Sequence, residues 1–119
     1  MANISDLVGK IMVNVVNDDN TEIIFFADNG GKWKLYHEQE CCEDVFIEDI
    51  IGDLSDLVGF PILIAEEICS DDIPRNSDEM SFTWTFYKLA TIKGSVTIRW
   101  YGTSNGYYSE SVNFIEVTL

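Results

Sequence analysis

Ser5-Asp6-Leu7-Val8-Gly9 returns letter for letter as Ser55-Asp56-Leu57-Val58-Gly59, and the segments that succeed each copy decide how the chain folds. After the first copy come an apolar stretch, an acidic turn, a second apolar stretch, a Gly-led stretch ending Leu35-Tyr36-His37, a polar loop and Phe46-Ile47-Glu48. After the second come an apolar stretch, an acidic loop, a second apolar stretch, a Gly-led stretch ending Trp100-Tyr101-Gly102, a polar loop and Phe114-Ile115-Glu116. Five shared letters carry little by themselves. The shared order of events reads as an approximate internal repeat, 5–50 and 55–119, within one domain.

Within each copy, Ser5 and Ser55 are expected to cap a single helical turn, and Gly9 and Gly59 to end it in the left-handed conformation. Each turn then hands on to a strand. Lys10 to Asn17 is apolar and β-branched, Asp18-Asp19-Asn20 is a turn, and Thr21 to Ala27 is apolar on both faces, as an internal strand is. Asn29-Gly30-Gly31 reads as a tight hairpin turn. Lys32 to His37 then alternates, with Trp33, Leu35 and His37 on one side, and Val45 to Ile50 closes the first half.

In the second half Pro61 to Ala65 reads as a short apolar strand, and Glu66 to Glu79 as a long polar loop. Phe82, Trp84 and Phe86 alternate with Thr83, Thr85 and Tyr87. Past Lys93-Gly94, Val96, Ile98 and Trp100 alternate with Thr97, Arg99 and Tyr101. With Val112 to Val117 these strands read as a three-stranded meander. The expected fold is mainly β: two related halves, each a short helical turn and about four strands, forming an antiparallel sandwich or a partly closed barrel.

A chain of 119 residues with 46% apolar content supports a real core. Its formal charge of -14 repels nucleic acid and anionic lipid and attracts basic proteins. No apolar run is long enough for a membrane helix, and Met1-Ala2-Asn3-Ile4-Ser5 lacks the basic start and apolar core of a signal peptide, so a cytoplasmic location is expected. Three cysteines, two of them adjacent, do not make a disulfide framework; thiols are expected.

The charge is segregated. Fourteen of the 21 acids lie between Glu38 and Glu79, against one base, Arg75. Gathering like charge costs folding free energy, so solubility is an incomplete account of it. One reading is a surface whose carboxylates imitate nucleic-acid phosphates, with Glu38, Glu40, Glu43, Asp44, Glu48, Asp49, Asp53, Asp56, Glu66, Glu67, Asp71 and Asp72 contacting a basic partner. The plainer reading is a solvated acidic face.

Two smaller constellations stand beside it. His37, Cys41 and Cys42 offer donors that suit zinc, but there is no C-x-x-C and vicinal cysteines converge poorly on one ion. A buried thiol and a hydrogen-bonded histidine explain them without metal. The loops around His37 and Gln39 and around Tyr101, Asn105, Tyr107 and Tyr108 hold matching places in the two halves, and tyrosine supplies contact area at low entropic cost. Packed hairpin tyrosines are the plain alternative. Catalysis is not expected. The Cys-His pair has no accompanying oxyanion turn, no carboxylate pair is set apart by an apolar setting, and no phosphate-cradling glycine loop is present.

The strings YHEQECCEDVFIEDIIGDLSDLVGFPILIAEE at 36–67 and FTWTFYKLATIKGSVTIRWYGTSNGYYSESVNFIEV at 82–117 resemble a family of small acidic proteins of unknown function encoded by phages, prophages and some bacteria. The resemblance transfers no site residue. It implies a context in which small acidic proteins inhibit host or defence proteins, as DNA-mimicking anti-restriction and anti-CRISPR proteins do.

The expected role is therefore a non-enzymatic binding protein without cofactor. Its partner is a basic, nucleic-acid-binding protein, with neither nucleic acid nor membrane bound directly. One rival is a small-ligand or nucleotide-signal sponge that would gather Lys32, Lys34, Lys88, Lys93 and Arg99 into a basic pocket. Another is a zinc-stabilised interaction domain.

Overall fold

The computed structural model describes residues 2–38, 44–72, 81–104 and 112–117. A 3-10 turn, Ile4–Leu7, leads to β1 (Met12–Asp18), β2 (Glu22–Ala27), β3 (Lys32–Tyr36) and β4 (Asp44–Ile51). A second 3-10 turn, Leu54–Leu57, leads to β5 (Ile64–Asp72), β6 (Ser81–Thr91), β7 (Gly94–Ser104) and β8 (Asn113–Glu116). The strands form two open antiparallel sheets of four, ordered β1-β2-β3-β8 and β4-β7-β6-β5. The arrangement suits a sandwich and is not a closed barrel.

The alternation of side chains makes the core. β2 and β3 bury Ile23, Phe25, Ala27, Trp33 and Leu35; β6 and β7 bury Tyr87, Leu89, Val96, Ile98 and Trp100; all belong to one apolar cluster drawn from both sheets. Phe114 of β8 meets Phe25 edge-to-face at 6.2 Å.

The fourth strand of each half crosses over. β8 pairs with β3 in the first sheet, and β4 pairs with β7 in the second. The expected meander is therefore corrected: β6 and β7 form the hairpin, but the C-terminal strand leaves it. The place beside β7 is taken by β4, whose Val45 and Ile47 fill the core there, so Phe114 finds its apolar site on the other sheet.

Each copy of the five-residue string lies against the segment that follows the other copy. Val8 bridges Ile62 while Met12 bridges Val58, and Ile11 bridges Pro61. Gly9 N–H donates to the Ile62 carbonyl at 2.8 Å, and Gly59 N–H to the Met12 carbonyl at 2.9 Å. Adding or subtracting 50 residues exchanges the first two bridges, and likewise the two glycine bonds, and carries Ile11–Pro61 onto itself. Leu7 and Leu57, at matching places, are both fully buried.

The caps differ from expectation. Asn3 and Asp53, not the serines, precede the turns; Ser5 and Ser55 lie inside them, their carbonyls accepting from Val8 and Val58 at 3.1 and 3.2 Å. Asp53 Oδ1 accepts from the Ser55 amide at 3.0 Å, a short acidic side chain before a turn being an effective acceptor for unpaired amides. Gly9 and Gly59 do have positive φ, +86° and +94°.

The stretch Glu66–Asp72, expected as loop, is instead most of β5. Ile64 to Asp72 pairs residue by residue with Ala90 to Phe82, so the backbone bonds of a neighbouring strand override a composition poor in strand formers. Residues 73–79 of that loop lie outside the described ones. The hairpin glycines divide as well: only Gly30 of Asn29-Gly30-Gly31 takes positive φ, +87°.

Gly52, between β4 and the second turn, combines φ +108° with crowding: a Cβ there would stand 2.6 Å from the Ser95 carbonyl oxygen. At Gly59 the φ is similar but nothing lies within 4 Å. Gly52→Ala should lose about 1–3 kcal/mol from conformation and more from overlap, whereas Gly59→Ala should lose the first part only. Urea unfolding of the two variants checks this; equal losses would remove the crowding argument.

Candidate functional site

Most of the described acids of the tract stand on the two edges of the second sheet. Asp44, Glu48 and Asp49 are exposed on β4, and Glu66 and Glu67 on β5, which also carries Asp71 and Asp72. β7 and β6 lie between, so the edges are three strand spacings apart, about 14 Å. Asp53 and Asp56 sit at the second 3-10 turn, and Glu38 comes after β3 of the other sheet. Among the described residues, the acids that the sequence runs together are thus brought mostly to one sheet, in two rows rather than one.

The central strands carry the opposing charge. Arg99 of β7 reaches Glu48 with Nε 2.5 Å from Oε2, and its Nη2 stands 3.8 Å from Asp49 Oδ2. Lys88 of β6 stands opposite Glu66 in the β5–β6 register. At the near end of the sheet the Ser55 amide, then its hydroxyl, hold the Asp53 carboxyl below the ordinary carboxylate value, with Lys93 adding to the effect. Lys93 Nζ also donates to the Ser55 carbonyl at 3.3 Å.

The five cations of the expected basic pocket are not gathered. Lys32 and Lys34 belong to β3 of the first sheet, where Lys34 pairs with Glu22 at 3.2 Å and lies over the Tyr36 ring. Lys88 and Arg99 belong to the second sheet, and Lys93 to its hairpin turn.

His37 is half-buried just beyond β3. Cys41 and Cys42, its proposed co-ligands, lie outside the described residues, as do Gln39, Glu40, Glu43, Asn105, Tyr107 and Tyr108. Among the described residues no group of three or more His, Cys, Asp or Glu is placed to hold a metal ion. Nor, among them, is any helix long and apolar enough to cross a membrane.

Two features escape a reading of the sequence. One is a polar corner inside the sandwich. Tyr87 is 1% exposed, its hydroxyl has no hydrogen-bond partner among the described residues, and the Glu67 carboxylate stands near enough to act on it. Burial, then the charges of Glu67 and Cys69, push the phenol well above its ordinary value. The folded state therefore holds this proton more tightly than the unfolded chain, whose tyrosines ionise near pH 10. The resulting stability is present below that pH and is lost as pH rises above it. Tyr87→Phe should be nearly neutral at pH 7, because the hydroxyl has no hydrogen bond to lose among the described residues. Above about pH 10 the variant should melt increasingly later than the parent chain; a constant difference in Tm across pH 7 to 11 would contradict this.

The other is an aromatic face on the side of the second sheet turned away from the core. Trp84 and Phe86 of β6, Tyr101 and Arg99 of β7 and Phe46 of β4 are all half-buried there. Trp84 and Tyr101 ring centroids are 4.5 Å apart, Phe46 and Tyr101 6.1 Å, and Trp84 and Phe86 stack at 6.5 Å. The signal was available: β6 is apolar on both faces, since Tyr87 and Leu89 already supply its core side.

Neither a curated protein nor a solved structure matches the chain. A family match spans residues 5–114, nearly the whole length, from the first copy of the repeated string to Phe114 of the crossing strand. The chain belongs to the family described as Domain of unknown function (DUF7448).

Proposed function

We propose that this is a non-enzymatic binding protein of phage type, which inhibits a basic, nucleic-acid-binding host or defence protein by occupying its nucleic-acid groove. The observation that carries the reading is the pair of carboxylate rows on the two edges of one sheet. Their separation, about 14 Å, is close to the major-groove width of B-DNA, about 12 Å. Two lines of negative charge at that spacing present a basic groove with something near the phosphate pattern it already accepts. Such a surface raises the rate of encounter with a basic partner and makes affinity depend on salt. The site of action would be the host cytoplasm. A sponge for anionic small molecules is less well supported, because the cations it needs are spread over both sheets.

The test is competition. The immobilised chain is exposed to a bacterial host lysate, and the protein eluted by salt is identified, purified and mixed with a DNA duplex. DNA and the acidic chain should exclude each other from it. A stable complex of all three would contradict the proposal.

A further inference from the structure

We infer that the aromatic face of the second sheet, Phe46, Trp84, Phe86 and Tyr101 with Ile68 beside them, is the apolar centre of the partner contact, the carboxylates being its rim. This rests on the proposed docking of a basic partner and names the other half of the same surface. In an antiparallel sandwich the side of a sheet turned away from the core is ordinarily polar. Here it is aromatic over three adjacent strands, and on the edge strand Ile68, opposite Phe86, is 42% exposed and Ile64 47%. Contiguous apolar surface of this kind marks contact sites, and protein interfaces concentrate their affinity in a central aromatic and Arg cluster surrounded by polar residues.

The charges choose the occupant. On this side Asp44, Glu48 and Asp49 flank the aromatic rings from one edge and Glu66 from the other, against Arg99 and Lys88. A nucleic acid could stack on Trp84 and Tyr101, but binding of that kind needs a cationic groove, and this rim is acidic. A second copy would bring together two chains of charge -14. A basic protein segment that also carries apolar side chains fits both the centre and the rim. Toward Ala90 and Ser95 the same face carries an open groove of about 310 Å³ between Ile64, Glu66 and Lys88, a volume that admits one such side chain. Arg99 prepares the surface. It lies 5.4 Å from the Trp84 ring centre and holds Glu48 at the edge of the aromatic cluster.

The probes are two nonapeptides of equal positive charge, one alternating Arg with Leu and the other Arg with Ser. They are added to the full chain and followed by amide and indole chemical shifts. The Arg-Leu peptide should bind about tenfold more tightly and shift the Trp84 indole N–H with the amides of Phe46, Phe86 and Tyr101. Trp84→Ala should abolish that tenfold advantage while leaving the salt dependence. Ile68→Ser, at an exposed position that does not threaten folding, should reduce it severalfold. Equal binding of both peptides, with shifts confined to β4 and β5 edges, would overturn this inference and leave the acidic rows standing. No binding of either peptide at low salt would overturn both. Shifts of the aromatic face on adding a DNA oligonucleotide, or on raising the protein concentration, would overturn it in favour of those occupants.

Discussion

Trp100→Ala is expected to lose about 3–5 kcal/mol of stability, a large share of the 5–15 kcal/mol typical of a folded domain. Trp100 lies in β7, the strand that pairs with both β4 and β6, and is 1% exposed. Its indole is the largest fully buried side chain on the core face of the second sheet, so truncation leaves a cavity that neighbouring strands cannot close. Trp100→Phe should lose much less. The indole Nε1 has no hydrogen-bond partner among the described residues, so its removal sacrifices apolar contact but no bond. Urea unfolding of both variants provides the check. If phenylalanine proved as damaging as alanine, an unseen partner for the indole N–H would have to be supplied.

The second large effect concerns binding. Asp44→Asn, Glu48→Gln and Asp49→Asn remove the charge of one edge, and Glu66→Gln, Glu67→Gln, Asp71→Asn and Asp72→Asn that of the other. Exposed charge pairs are worth up to about 1 kcal/mol each. Neutralising one edge should therefore weaken partner binding about tenfold, and both edges about a hundredfold, at roughly 1.4 kcal/mol per factor of ten. Titration of the purified partner by calorimetry measures it. The two edges should contribute comparably; a loss confined to one edge would show that a single row is used, and the resemblance to a DNA groove would fail.

Much of the scaffold could be read from side-chain alternation. Phe82 to Tyr87 and Val96 to Tyr101 keep a period of two, and β6 and β7 pair where that period places them. The repeated string pointed to the two 3-10 turns, because a buried leucine with a glycine at positive φ two residues later is a local signal. What could not be read was set by distant residues. Phe114 pairs against β3 because β4 already occupies the flank of β7, and nothing near Phe114 encodes that exclusion. Glu66 to Asp72 is strand because it lies on an edge, where one face and one row of backbone groups meet water and charge is tolerated. Its acidity looked like loop for that reason.

The candidate site divides along the same line. The acids themselves were plain in the sequence, since their segregation needs only counting. That β4 and β5 would become opposite edges of one sheet was not plain, because edge or centre is decided by the strand order. The aromatic face was concealed by its own strength. Trp84, Phe86 and Tyr101 look like core, and only the burial of Tyr87, Leu89 and Trp100 on the other side shows that the core was already filled.

Affinity for the purified partner, measured from 50 to 200 mM salt for the parent chain and for the variant with both edges neutralised, tests the docking claim most directly. The parent chain should lose at least about tenfold across that range, as screened charge attraction requires, while the neutralised variant should change little. Parent-chain affinity that holds steady with salt would contradict recognition through the two acidic edges.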